Sequence, residues 1–206
     1  HDSDRGIYVV DVDGGYERRL ARGYDRNPVW SSDGPTIAFD RDEQDHAGIY
    51  RIGSDGSNEV RLTSGEPGAD GPDRRFGRSN RWPVWSPDGQ RILFTRLFAV
   101  PELRVMGTDG SGLTGLGYVG RFEHAAWQPD GTMIAFSAYG AGFPRSKPTI
   151  FLLSAHGRRR IARGEMPSWS PDGTKLFFVR NRCPDDVWVW KSPEVDKQDV
   201  CVIDPD

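Results

Sequence analysis

Little in this chain of 206 residues is equipped for covalent or metal chemistry. There are four histidines, His1, His46, His124 and His156, and two cysteines, Cys183 and Cys201. No His/Cys set has the spacing of a zinc site, and no Gly-x-Ser-x-Gly nucleophile elbow is present. Long apolar runs are missing, and no stretch approaches the roughly 18 residues that a membrane helix needs. Charge of one sign is missing too. The formal net charge is −3, from 27 basic and 30 acidic residues without a block of either. General nucleic-acid binding and membrane insertion are therefore not expected, nor is any cofactor. The chain begins at His1 with no visible signal segment, which reads as a processed product or a fragment.

What is abundant is punctuation. The 25 glycines and 15 prolines favour many turns and short strands over long helices. A 36% hydrophobic content is enough for a buried core. Four segments share one pattern: Asn27-Pro-Val-Trp-Ser-Ser-Asp-Gly34, Trp82-Pro-Val-Trp-Ser-Pro-Asp-Gly89, His124-Ala-Ala-Trp-Gln-Pro-Asp-Gly131 and Met166-Pro-Ser-Trp-Ser-Pro-Asp-Gly173. Their tryptophans, Trp30, Trp85, Trp127 and Trp169, are separated by 55, 42 and 42 residues. A period near 42 fits a four-stranded propeller blade.

Each Asp-Gly is followed by a short apolar strand, such as Thr36–Phe39, Arg91–Phe94, Met133–Phe136 and Lys175–Phe178. Pro presets φ at the first turn position, Asp33, Asp88, Asp130 and Asp172 can bond their own backbone, and Gly takes the positive φ. A second hairpin follows through Asp55-Gly56, Asp109-Gly110 and His156-Gly157. The expected fold is all-β, a β-propeller with three complete blades and two partial ones in a single domain. The blades span roughly 1–24 (partial), 25–64, 80–117, 123–163 and 164–206 (partial). Starting and ending mid-blade suggests a piece of a larger propeller; a chain that closes its ring with mixed terminal strands is the alternative. The repeated tryptophans are expected to pack between blades.

These residues resemble the repeat of the TolB-type, WD-repeat-like propeller family: Trp-Ser-Pro-Asp-Gly, then Ile-Ala-Phe, Ile-Tyr, Asp-Gly and Arg61-Leu-Thr63. The resemblance covers nearly the whole chain. It implies a propeller fold but leaves function open, because such repeats occur in periplasmic TolB and in propeller domains of prolyl oligopeptidase-like and tricorn-like peptidases.

Within a blade, the first-to-second and third-to-fourth turns fall on one face and are short here. The opposite face holds the length variation, including 64–81, 138–148 and 180–198. Long loops on a rigid scaffold commonly carry function. Arginines with aromatics suit a peptide or an acidic partner segment. The candidate partner-binding residues are Arg74, Arg75, Arg81, Trp82, Arg121, His124, Tyr139, Arg145 and Trp188. Residues just before each first strand (Arg26 and Asn27, Arg81 and Trp82, Glu123 and His124, Glu165 and Met166) are expected to ring the channel mouth. They could hold a ligand end or simply pair with one another. Asp40, Asp42, Glu43 and Asp45 form an acidic run without the ligand spacing of a calcium loop, so it reads as a solvated loop. No metal site is expected. Cys183 and Cys201 bracket an insertion containing Val187-Trp-Val-Trp190, a possible extra hairpin arm. A disulfide between them would imply an oxidising compartment, periplasmic or extracellular.

The functional reading is a non-enzymatic scaffold that binds a protein or peptide through the long-loop face and channel mouth. Two alternatives stay open: a substrate-gating propeller of a hydrolase whose catalytic domain lies elsewhere, and a propeller lyase with a metal at the channel.

Overall fold

The turn chemistry of the repeat is realised in detail. Ser86 and Gly89 are joined by a backbone hydrogen bond of 2.9 Å, and Gly89 takes a φ of 67°, which side chains disfavour. Asp88 Oδ1 accepts the Gln90 N–H at 3.0 Å. Ser86 adds a lock: its hydroxyl accepts the Arg91 N–H at 2.9 Å and donates to Asp88 at 2.5 Å. Ser170, Asp172 and Lys175 repeat the arrangement. Gln128 replaces that serine in the third repeat. Its side-chain N–H donates to the Gly173 carbonyl at 3.0 Å, and its oxygen accepts from Thr132.

These turns organise a computed structural model that describes residues 5–43, 46–63, 79–97, 101–118, 121–139, 147–180, 189–190 and 199–205. Among the described residues every regular element is a β-strand. They fall into two compact units, His1–Tyr118 and Val119–Asp206.

In the first unit, β1 (Gly6–Val10) and β2 (Glu17–Arg22) form a two-stranded antiparallel sheet. A four-stranded sheet follows in chain order: β3 (Asp25–Trp30), β4 (Thr36–Arg41), β5 (Gly48–Gly53) and β6 (Val60–Arg61). The next has the same order: β7 (Asn80–Trp85), β8 (Arg91–Arg96), β9 (Glu102–Gly107) and β10 (Thr114–Tyr118). The second unit contains β11 (Arg121–Trp127), β12 (Ile134–Tyr139), β13 (Thr149–Ser154) and β14 (Gly157–Arg163). Its last sheet contains β15 (Glu165–Trp169), β16 (Leu176–Arg180), β17 (Val189–Trp190) and β18 (Asp199–Ile203). The fold is thus all-β and built from four-stranded propeller blades, and the first sheet has two strands among the described residues.

The last sheet departs from chain order and runs β15-β16-β18-β17. Asp199 onward supplies the third strand, as the sequence suggests, with Phe178 opposite Cys201. The fourth position is filled from the insertion, because Val189 and Trp190 pair with Cys201 and Val200. Of the possible extra arm Val187–Trp190, Val187 and Trp188 lie outside the described residues, and Val189–Trp190 forms this antiparallel edge pairing.

The second strand β4 is apolar on both faces because its sheet is covered on both sides, by β1–β2 and by the β7–β10 sheet. Ala38 and Ile49 of one sheet pack with Trp85, Ile92, Phe94 and Met106 of the next. In the second unit Ala135, Ile150 and Leu152 pack with Leu176, Phe178 and Cys201. Each large side chain so buried contributes about 1.5–3 kcal/mol. Trp85 and Trp169 lie between sheets, as expected. Trp85 donates its indole N–H to the Val29 carbonyl at 3.2 Å, and Trp169 donates to Ala126 at 3.2 Å. Trp30 differs, with half of its surface exposed.

Candidate binding site at the first-strand bulges

The residues expected to precede the first strands lie inside them. Arg26 and Asn27 belong to β3, Arg81 and Trp82 to β7, Glu123 and His124 to β11, and Glu165 and Met166 to β15. The strands are longer than the apolar pattern indicates because each contains a bulge. Register shifts fall between Arg26 and Val29, Arg81 and Val84, Phe122 and His124, and Glu165 and Ser168. A bulge admits extra residues without ending the ladder.

Three bulges share an unusual backbone. Asn27, Trp82 and Met166 have φ of 51°, 55° and 55°. Each precedes a proline, which normally drives its predecessor to an extended conformation. Left-handed backbone at such a residue costs on the order of 1–3 kcal/mol. The fourth repeat position, His124, precedes Ala125 rather than proline, and its side chain is exposed.

In the first unit one carboxylate spans two bulges. Asp40 Oδ1 accepts from the Asn27 side-chain amide at 2.7 Å and from the Trp82 backbone N–H at 3.1 Å. Asp40 is 1% exposed. Burial pushes its carboxyl above the ordinary value, opposed by the Asn27 and Trp82 hydrogen bonds and by the charges of Arg81 and Arg26. Its Oδ2 has no hydrogen-bond partner among the described residues. Arg81 lies beside it, donating to Asp42 at 2.6 Å and to Ser79 at 2.9 Å. The result is a shielded acceptor next to a paired cation and a half-buried indole.

This corrects the reading of 40–45 as a solvated acidic loop. Asp40 lies within β4 and is buried, Asp42 pairs with Arg81, and Glu43 accepts the Tyr24 N–H at 3.2 Å. Asp45 lies outside the described residues. The overlooked signal is the residue after the phenylalanine of each second strand. Asp40, Thr95 and Ser137 occupy that position and are all buried, and each has an oxygen without a hydrogen-bond partner among the described residues. The last repeat has Val179 there.

A second polar cluster was also illegible. Arg41 forks onto Asp25 at 2.6 and 3.1 Å, reaches Glu59 at 2.7 Å, and lies 4.5 Å from the Tyr50 ring centroid. It ties β3, β4 and the residue before β6 together, a structural role.

The candidates divide as follows. Arg81 and Trp82 meet at the Asp40 cluster. His124 sits at its own bulge in the second unit. The backbones of Arg121 and Tyr139 pair across β11 and β12, so both occupy strand ends rather than loops. Arg74, Arg75, Arg145, Trp188 and Cys183 lie outside the described residues. Cys201 is fully buried in β18. Among the described residues no group of three or more His, Cys, Asp or Glu side chains is placed to hold a metal. None of the described residues forms a helix long and apolar enough to cross a membrane.

Comparison with known proteins bears on this arrangement. Residues 1–166 match the family described as TolB beta propeller domain. An uncharacterized protein of Agrobacterium fabrum is 30% identical over 148 residues, covering 65% of this chain and 47% of its own length. An uncharacterized peptidase of Bacillus subtilis is 40% identical over 70 residues, which are 34% of this chain and 9% of the peptidase. The crystal structure of TolB from Acinetobacter baumannii aligns with a TM-score of 0.69 at 23% identity, over 99% of this chain and 47% of that one. The chain therefore spans less than half the length of these relatives.

Proposed function

Since the chain belongs to the TolB beta propeller domain family, we propose that it is a non-enzymatic scaffold that binds a protein or peptide. Both units are read as parts of one propeller domain. The binding surface combines the first-strand bulges with the long-loop face; in the first unit Arg81 and Trp82 are its described members, and His124 is the candidate at the second unit's own bulge. The observation that carries this reading is the shared bulge: three repeats hold a strained residue at one position, and such strain collects at ligand-contacting sites. A periplasmic or extracellular location accompanies the reading, with Cys183 and Cys201 joined as a disulfide.

The test is selection of peptides from a random display library on the intact chain, followed by calorimetry. Trp82→Asn keeps a residue that tolerates positive φ, and Arg81→Gln removes the cation. Binding weakened at least tenfold by both supports the proposal. Peptides whose affinity ignores both substitutions, or no selected binder, would overturn it.

The Bacillus subtilis peptidase match favours a second reading, a propeller that gates substrate for a hydrolase. Sequencing the open reading frame beyond Asp206 separates the two. A hydrolase domain there would replace the scaffold reading.

A further inference from the structure

The two units build the same interface with different chemistry. In the first, the residue after the second-strand phenylalanine is Asp40. Its carboxylate collects the Asn27 side-chain amide from its own sheet and the Trp82 backbone N–H from the next. In the second unit the matching phenylalanine is Phe136, and the residue after it is Ser137. His124 stands where the repeat has Asn27, and Met166 where it has Trp82.

Register places these three residues on one interface. Ser137 lies two residues beyond Ala135, so both belong to one face of β12. That face meets the last sheet, because Ala135 packs with Leu176 and Phe178. His124 is the cross-strand partner of Ser137, and directly opposed residues share a face. Met166 belongs to the first strand of the last sheet, has the φ of 55° found at Trp82, and also precedes a proline. Glu165 pairs with Val179, the neighbour of Phe178, and so belongs to the opposite face of its sheet.

The donors are thus kept while the acceptor between them is exchanged for a further donor. A serine hydroxyl is shorter than a carboxylate and carries a proton, and an imidazole, like an amide, offers an N–H. Ser137 is 2% exposed, and its Oγ has no hydrogen-bond partner among the described residues. Burial of such a group is unfavourable until a partner arrives. His124 is exposed and Met166 is 49% exposed, so the buried hydroxyl is bordered by accessible residues.

We propose that Ser137, His124 and the Met166 N–H form a carboxylate-binding site. A ligand fills it with the group that Asp40 supplies from within the chain at the matching interface. The inference rests on the scaffold reading and deepens it: the carboxylate is the C-terminus or an acidic side chain of the bound peptide.

NMR spectra of the full chain, recorded while sodium acetate is added against sodium chloride at equal ionic strength, test the site without any peptide. Saturable shifts specific to acetate are expected at the Met166 N–H and the His124 ring. Ser137→Ala should weaken acetate binding at least tenfold. Ser137→Asp restores an internal carboxylate, so the Met166 N–H resonance should move without ligand and the acetate response should disappear. N-acetylalanine represents a peptide C-terminus and N-acetylaspartic acid α-amide an acidic side chain, with N-acetylalanine amide as the neutral control. Saturable binding of either acid supports the proposal and names the source. Absence of an acetate-specific shift, acetate binding that ignores Ser137→Ala, or an equal response to the neutral amide overturns it. Those failures leave the scaffold reading standing wherever library peptides still depend on Arg81 and Trp82. Acetate binding without any library binder removes the scaffold reading and keeps the site.

Discussion

The Asp40 carboxylate holds the backbone N–H of Trp82, a residue of the neighbouring sheet, at 3.1 Å. One side chain thereby fixes two strained bulges, because the same oxygen also takes the Asn27 amide. Replacing it with alanine leaves both donors without that acceptor, at about 1–3 kcal/mol for each donor left unpaired. Asp40→Ala is expected to lower the melting temperature clearly. Asp40→Asn, which keeps an acceptor oxygen, should cost much less. Equal melting temperatures for the two variants would show that this bond does not hold the bulges.

Asp40 also sets a pH dependence. Burial raises its carboxyl above the ordinary 3.8, so folding favours the protonated form. Its contribution is complete below the unfolded value and is lost as pH rises through the folded one. Stability measured upward from pH 4 should therefore contain a declining component that Asp40→Asn abolishes. An identical pH profile in that variant would remove Asp40 as the cause.

The turn aspartates behave in the opposite sense. Asp172 is held down to about 2, chiefly by the Ser170 hydroxyl and also by the Thr174 N–H and hydroxyl. A depressed carboxyl contributes stability above its unfolded value and loses it as pH falls toward the folded one. Ser170→Ala should raise the Asp172 value toward the ordinary carboxylate range in an NMR titration. A value that stays near 2 would assign the depression to the backbone instead.

Trp85 and Trp30 should respond unequally to truncation. Trp85 is buried and hydrogen-bonded, so Trp85→Ala should cost about 3–5 kcal/mol in chemical denaturation. Trp30→Ala should cost on the order of 1 kcal/mol, because half of the ring already meets water. Comparable losses at both sites would mean that Trp30 is covered in solution.

Much of the fold was legible because hairpins are specified locally. Pro-Asp-Gly turns and short apolar strands fix β3–β4 and its counterparts with no long-range information. The first-strand starts were misplaced because a bulge interrupts the alternation that marks a strand. Trp82-Pro83 misleads twice: proline argues for an extended predecessor, and tryptophan argues against positive φ. Asp40 was read as loop because an acid beside Arg41 and Asp42 looks solvated, and its burial depends on a sheet roughly forty residues further on. β17 lies in the Val187–Trp190 piece that reads as a possible arm, but two residues carry no period that would assign them the fourth place of the sheet. The bulge cluster was partly legible, through Arg81 and Trp82, while its central acceptor was not.

The reordered last sheet bears on how it responds to shortening and to force. β18 sits between β16 and β17, so the final described strand is interior to its sheet. Trimming the chain back to Gln198 would remove one strand but vacate two positions, since β17 pairs with β18 alone among the described residues. A pull applied to β18 would load two ladders together, whereas a pull on β14 loads one. The segment Asp199–Ile203 thus acts as a keystone for its sheet, whose loss would release β17 together with β18 rather than fray the sheet strand by strand.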